Sequence, residues 1–230
     1  MTCMDGFITS HAVENITLIE DEAVKNFVGE YNPEHYLLNE NETMAVGPYA
    51  VSNYCMEAKR AQAQGMMNAK QVILDVAKEF EEISGRKYGL FEKYKLDDAD
   101  FAVVSIGSAS GTAKDAVDIL RNKGIKAGLL KVRVFRPFPG EDMAKALQGC
   151  KAIAIMDRCE SYSANGGPLG AELMAALYRN KNKAEVINIV YGLSGRDVRV
   201  EDFEKVFEDL ADIAENGVKD SQYRYLGLRE

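Results

Sequence analysis

Residues 98–215 alternate between short apolar runs and amphipathic helical stretches, with a regularity that few folds satisfy. The order is run FAVVSI (101–106), helix TAKDAVDILRNKG (112–124), run KAGLLKVRV (126–134), helix GEDMAKALQG (140–149), run KAIAIMD (151–157), helix GPLGAELMAALYRN (167–180), run AEVINIVYG (184–192) and helix VEDFEKVFEDLADIAENG (200–217). The runs are almost unbroken apolar sequence, which suits a strand whose two faces are both covered. A helix between successive strands supplies that cover through a parallel crossover. The expected fold class is therefore α/β, a small doubly wound and mostly parallel sheet.

The amino-terminal part reads differently. Residues 52–84 form one long helical pattern rich in Ala, Met, Gln, Lys and Glu, with Val72, Ile73, Val76, Phe80 and Ile83 at helical spacing. Ser52 is the expected N-cap and Ser84–Gly85–Arg86 the stop. A helix this long is expected to lie across another layer or another subunit. Upstream, FITSHAVENITLIEDEAVKNFVGEY (7–31) offers two strand-like runs and one short helix, too little for an independent core. The expected divisions are 1–50, the end of another domain; 51–97, the long helix and a linker; and 98–230, the sheet domain.

In a doubly wound sheet the loops after the strands gather at one edge, where ligands and partners usually sit. Four loops stand out there. GSASGTAKD (107–115) has Gly107 and Gly111 for tight backbone geometry, Ser108 and Ser110, a helix start at or near Thr112, and Asp115 placed for a capping box. Its N–H groups suit an anion, but its spacing matches neither the dinucleotide fingerprint nor the P-loop, and Lys114 falls on the helix. RVFRPFPGE (133–141) stiffens its strand exit with Pro137 and Pro139, and presents Arg133 and Arg136 to carboxylates, phosphates or a neighbouring subunit. DRCESYSANGGPLGAEL (157–173) is a long loop ending in Asn165, Gly166 and Gly167, with Pro168 suited to the first helical turn and Glu172 near the helix start. GLSGRDVRVED (192–202) adds Gly192, Gly195, Arg196 and Asp197, the last expected to cap the turn or to pair with Arg196. These loops are candidate interface or anion contacts. Beside Arg196 and Asp197 no nucleophile and base pair is visible, so a structural role is expected for them. His11 is either a general base near a strand end or an ordinary hydrogen-bonded histidine.

Charge and cysteine usage narrow the functions further. The chain has 28 Lys and Arg against 36 Asp and Glu, a net charge of -8, which disfavours nucleic acid as a partner. Cys3, Cys55, Cys150 and Cys159 form no C-x-x-C pair and only two histidines are present, so neither a zinc site nor an iron–sulfur cluster is signalled. The first residues lack the basic and apolar segments of a signal peptide, and no stretch reaches membrane-span length. A cytoplasmic protein with no membrane contact is expected.

Several segments in this order carry a resemblance: MDGFITSHAVE (4–14), EAKRAQAQGMMNAKQVILDVAKEFEEISGRKYG (57–89), DDADFAVVSIGSASGTAKDAVDILRNKGIKAGLLKVRVFRPFP (97–139), GGPLGAEL (166–173) and YGLSGRDV (191–198). Together they resemble the alpha subunit of the pyruvate synthase family, which are 2-oxoacid:ferredoxin oxidoreductases, over nearly the whole chain. The resemblance implies conversion of a 2-oxoacid, coenzyme A and oxidised ferredoxin to acyl-CoA, carbon dioxide and reduced ferredoxin. It implies thiamine diphosphate, Mg and iron–sulfur clusters in the assembled complex, the thiamine ring serving as electron sink. Residues from about 98 onward then correspond to a transketolase C-terminal-like domain, and residues 1–50 to the end of the pyrimidine-binding domain. The family's cofactor-activating glutamate and its oxoacid-holding threonine and arginine would lie in a portion preceding MDGFITSH. The diphosphate- and cluster-binding motifs would lie in other subunits or domains.

The expectation is thus an alpha-subunit piece that binds no cofactor or metal alone, carries no catalytic residue and is inactive in isolation. Its partners would be a thiamine-binding beta subunit, a gamma subunit and a ferredoxin-like delta subunit, with ferredoxin and coenzyme A reached through the complex and a homodimer as a further option. Two alternatives stand beside it. One is a stand-alone module holding coenzyme A or another phosphorylated ligand through Gly107 to Thr112, Arg133 and Arg136; the other is an inactive structural remnant.

Overall fold

The computed structural model describes every residue of the chain except Pro48, Ala50, Ser163 and Glu230. Two compact units are present: Asn15–Tyr88, and Met1–Glu14 together with Gly89–Glu230.

The Asn15–Tyr88 unit carries two helices, α1 (Asp21–Val28) and α2 (Cys55–Ser84). Helix α2 starts after the expected cap Ser52, because residues 51–54 close a turn in which the Val51 carbonyl accepts the N–H groups of Tyr54 and Cys55. It stops at Gly85, whose φ of 66° lets its N–H reach the Glu81 carbonyl. The Phe80 ring meets Phe27 at 5.9 Å and Tyr88 at 5.8 Å. Two helices provide too few layers to enclose a core, and no described residue of this unit is buried. The two strand-like runs expected in 7–31 are not strands: among the described residues neither has a neighbouring backbone to pair with.

The second unit is a six-stranded sheet between two helical layers. In chain order it contains β1 (Phe91–Tyr94), β2 (Phe101–Ile106), α3 (Ala109–Asn122), β3 (Ala127–Val132), α4 (Gly140–Ala146), β4 (Ala152–Asp157), α5 (Pro168–Arg179), β5 (Glu185–Val190), α6 (Val200–Asn216) and β6 (Tyr223–Tyr225). The strands lie in the order β1-β3-β2-β4-β5-β6, parallel throughout except for β1 against β3. This is the expected α/β class. Strands β1 and β6 were not anticipated, since an edge strand of three or four residues is too short to show a pattern.

Side chains leave β2 alternately toward two apolar layers. Val103 joins Leu129, Ala154 and Ile187 beneath α3 and α6, while Ala102 and Val104 join Leu130, Ile153 and Ile155 beneath α4 and α5. Each buried Val, Leu or Ile side chain among them contributes about 1.5–3 kcal/mol. Strand β2 has β3 on one side and β4 on the other, so the crossovers diverge from the crevice between β2 and β4 at the carboxyl edge. That switch point is where open α/β sheets usually receive ligands.

The compact units cut across the expected divisions at 50 and 97. Met1–Glu14 goes with the sheet because Asp5 is bonded to its carboxyl edge, and the segment from Gly89 goes with it because β1 adds to β3.

Candidate functional site

Gly107 adopts a φ of +80° and turns the chain out of β2, so that α3 begins at Ala109 rather than at Thr112. Thr112 and Asp115 therefore lie inside the helix, and the expected capping box does not form. Gly111 is an ordinary helical residue with open space around it. The Ser110 hydroxyl is buried against that of Ser105 at 2.9 Å, an internal link.

Ser108 is used differently: its hydroxyl donates to the carboxylate of Asp5, 103 residues away in sequence. The same Asp5 oxygen accepts Arg158 Nη1 at 2.7 Å, while the other accepts the backbone N–H groups of Phe7 at 3.0 Å and Ile8 at 3.1 Å. Burial alone would push this carboxyl up. The Ser108 hydroxyl, the Ile8 and Phe7 N–H groups and the Arg158 charge outweigh it and hold the pKa down at about 2. The Arg158 guanidinium also lies 5.6 Å from the Phe7 ring centroid. Gly195, at φ +75°, passes so close that a Cβ there would sit 3.0 Å from that ring. Residues of Met1–Glu14 thus meet three of the four edge loops at the switch point, and a cleft of ≈ 190 Å³ remains beside them.

The third loop has an internal logic. The N–H groups of Leu169 and Gly170, in the first turn of α5, donate to the two Asp157 oxygens at 2.9 and 2.8 Å. The Gly167 N–H donates to Asn188 Oδ1 at 2.7 Å, and Asn188 Nδ2 donates to both Asp157 and the Ile155 carbonyl at 2.8 Å. A carboxylate at the end of β4 therefore satisfies the positive end of α5. A Cβ at Gly167 would lie 2.2 Å from Asp157 Cγ, at Gly170 2.4 Å from Asn188 Cγ, and at Gly166 2.8 Å from Asn188 Oδ1. The glycines answer to that close approach. Pro168 opens α5 as expected, Asn165 lies in the loop ahead of it, and Ser163 of this loop lies outside the described residues.

The remaining candidates are spread around the edge. Arg133 pairs with Glu92 at 2.6 Å and Arg136 with Glu172 at 2.5 Å. Arg196 Nη1 donates to the Gly227 carbonyl at 2.6 Å, while Asp197 lines the cleft. His11 sits in an exposed turn rather than near a strand end, its Nδ1 2.7 Å from the Ser10 hydroxyl. All four cysteines are free, and burial, with the nearby Asp100 charge, pushes the Cys150 thiol up to about 11, far from the reactive range. Among the described residues no group of three or more His, Cys, Asp or Glu could hold a metal, and no helix is long and apolar enough to cross a membrane.

Sequence reasoning passed over Asp5, Phe7, Asp157, Arg158, Asn188 and Tyr191. Asp157 carried a usable signal, a carboxylate closing an apolar run ahead of a glycine-rich helix start. Asp5 carried none, since its partners Ser108 and Arg158 are 103 and 153 residues distant.

The sequence of this chain has counterparts among known proteins. Residues 99–203 match the pyruvate:ferredoxin oxidoreductase core domain II, and residues 1–78 match the thiamine diphosphate-binding model of pyruvate flavodoxin/ferredoxin oxidoreductases. Both models describe pyruvate ferredoxin oxidoreductases, and the chain resembles that family over these two stretches. Over 230 residues it is 44% identical to the pyruvate synthase subunit PorA of Thermotoga maritima, covering 100% of this chain and 58% of that protein. It is 39% identical over 232 residues to the pyruvate synthase subunit PorA of Methanocaldococcus jannaschii, covering 100% and 57%. Against the ketoisovalerate oxidoreductase subunit VorA of Pyrococcus abyssi the identity is 37% over 230 residues, covering 100% and 58%. The chain thus spans somewhat more than half the length of these relatives.

The match to a thiamine diphosphate-binding model can be tested against the fold. A diphosphate with its metal needs an enclosing wall and charged ligands. No described residue of 1–78 is buried, and no described cluster of acids could hold a metal. As folded here, these residues do not fit the cofactor by themselves.

Proposed function

We propose that this chain acts as part of the alpha subunit of a 2-oxoacid:ferredoxin oxidoreductase of the pyruvate synthase type. The reaction takes a 2-oxoacid, coenzyme A and oxidised ferredoxin to acyl-CoA, carbon dioxide and reduced ferredoxin. The observation that carries the reading is 44% identity to a pyruvate synthase subunit along all 230 residues. Pyruvate is the first substrate to try, with a branched 2-oxoacid second because of the ketoisovalerate relative.

In this reading the chain assembles the enzyme and supplies no catalytic residue, and thiamine diphosphate, Mg and iron–sulfur clusters are held elsewhere in the complex. The sheet unit is the rigid body. Asp5, Ser108 and Arg158 fix its carboxyl edge, and the apolar stripe of α2 faces a neighbour in the assembly. The neighbours are a thiamine-binding beta subunit, a gamma subunit, a ferredoxin-like delta subunit and a second copy, and the compartment is the cytoplasm.

The test is an affinity capture of the tagged chain from its native lysate. The bound proteins are identified, and the eluate is assayed for pyruvate- and coenzyme-A-dependent reduction of a viologen dye. Recovery of thiamine-binding and iron–sulfur subunits with activity is expected. A clean chain without partners or activity overturns the reading.

A further inference from the structure

Tyr191 lines the cleft at the switch point and carries a buried polar group that the described residues leave unmet. Tyr191, just past the end of β5, is 2% exposed, and its hydroxyl has no hydrogen-bond partner among the described residues. Burying a hydroxyl without a partner is costly, so the group points to something that completes it.

The other walls say what that something is. Thr112 brings a hydroxyl, and α3, a helix of 14 residues, starts at the cleft with Ala109 and turns its positive end there. Arg158 uses Nε on the Gly192 carbonyl and Nη1 on Asp5, and Arg196 uses Nη1 on the Gly227 carbonyl. Both guanidinium forks retain N–H donors for a further acceptor. The Asp5 carboxylate beside the cleft is already met by Ser108, Arg158 and two backbone N–H groups, and Asp197 is the acid that lines it. Two arginines against two aspartates balance in charge, so hydroxyl donors and the helix end tip the site toward an acceptor-rich ligand. Its ≈ 190 Å³ admits a compact molecule only.

We infer that the cleft between the start of α3 and Tyr191 binds a small oxyanion, a carboxylate or a phosphate, through Thr112, Arg158, Tyr191 and Arg196. The inference does not depend on the oxidoreductase assembly, because every group it uses lies within the sheet unit.

The full chain is titrated calorimetrically with sodium acetate and, separately, with inorganic phosphate, each at constant ionic strength set with sodium chloride. Saturable binding of one of the two is expected. Acetate alone assigns a carboxylate ligand, and phosphate alone assigns a phosphoryl group. Tyr191→Phe removes only the hydroxyl, so it is expected to keep the melting temperature while weakening that binding about tenfold. Thr112→Val is the second variant, expected to weaken it several-fold, and decides the matter if Tyr191→Phe does not fold. Arg133→Gln, outside the cleft, is expected to leave the affinity unchanged. No saturable heat from either ion on the folded chain overturns the inference. So does an affinity that the Tyr191 and Thr112 variants leave intact, or one that Arg133→Gln lowers instead.

Discussion

Val103 in β2 and Val76 in α2 are both valines at regularly spaced apolar positions, yet the first is fully buried and the second is 45% exposed. The difference lies in what surrounds each. Val103 belongs to a strand with neighbours on both sides and a helical layer on each face, so its methyl groups are enclosed whichever way the strand turns. Val76 belongs to a helix to which, among the described residues, its unit supplies one short companion helix, α1. Periodicity therefore shows that a face is meant to be covered, while the number of layers in the same unit decides whether the chain covers it itself.

The sharpest way to probe this contrast is to disturb the most enclosed part of the sheet unit. Gly167→Ala would place a Cβ 2.2 Å from the Asp157 side chain and force apart the buried network under α5. A loss of about 4 kcal/mol in urea unfolding of the full chain is expected, from overpacking added to broken hydrogen bonds. Asp157→Ala keeps the space but strands the N–H groups of Leu169 and Gly170 and the amide of Asn188, and is expected to cost about 3 kcal/mol.

Asp5→Asn acts at the rim, where the expected loss is about 1–2 kcal/mol at neutral pH after allowance for solvent screening. The sign with pH follows from the depressed pKa. Asp5 in the folded chain titrates at about 2 against an ordinary value of 3.8, so its contribution is fully present above about pH 4 and disappears as pH falls toward 2. Unfolding curves of the native chain and the Asp5→Asn variant should therefore converge in that window. Constant separation between them would remove the carboxylate from the account.

The smallest effect is expected where exposure is greatest. Val72→Asp, at a position 59% exposed, should change the stability of the isolated chain by no more than about 0.5 kcal/mol while reducing capture of partner subunits. A loss of several kcal/mol in the isolated chain would break the comparison, because α2 would then have a covered face of its own.

The central strands and their helices were legible because each apolar run is long enough, and uniform enough, to demand cover on two faces. Strands β1 and β6 were not, because FEKY and YRY take their place from a neighbour's backbone rather than from their own pattern. The GSASG turn was legible as a turn, but its helix start was misplaced toward Thr112, since the left-handed Gly107 lets α3 begin directly after Ser108. The Gly166–Gly167 pair was visible while its cause was not: Asn188 and Asp157 close on it from two different strands. Of the cleft, Ser108, Thr112, Arg196 and Asp197 could be read from loop position, whereas Arg158 and Tyr191 required the sheet to be assembled.

Because Met1–Glu14 and Gly89–Glu230 form one body, the Asn15–Tyr88 segment leaves that body and comes back to it. In polymer terms it is a closed loop, and the Asp5 carboxylate with its donors is the clasp at its start. The entropy of closing such a loop rises by only about 0.6 kcal/mol for each doubling of its length. The excursion can therefore be lengthened or shortened at modest cost to the sheet.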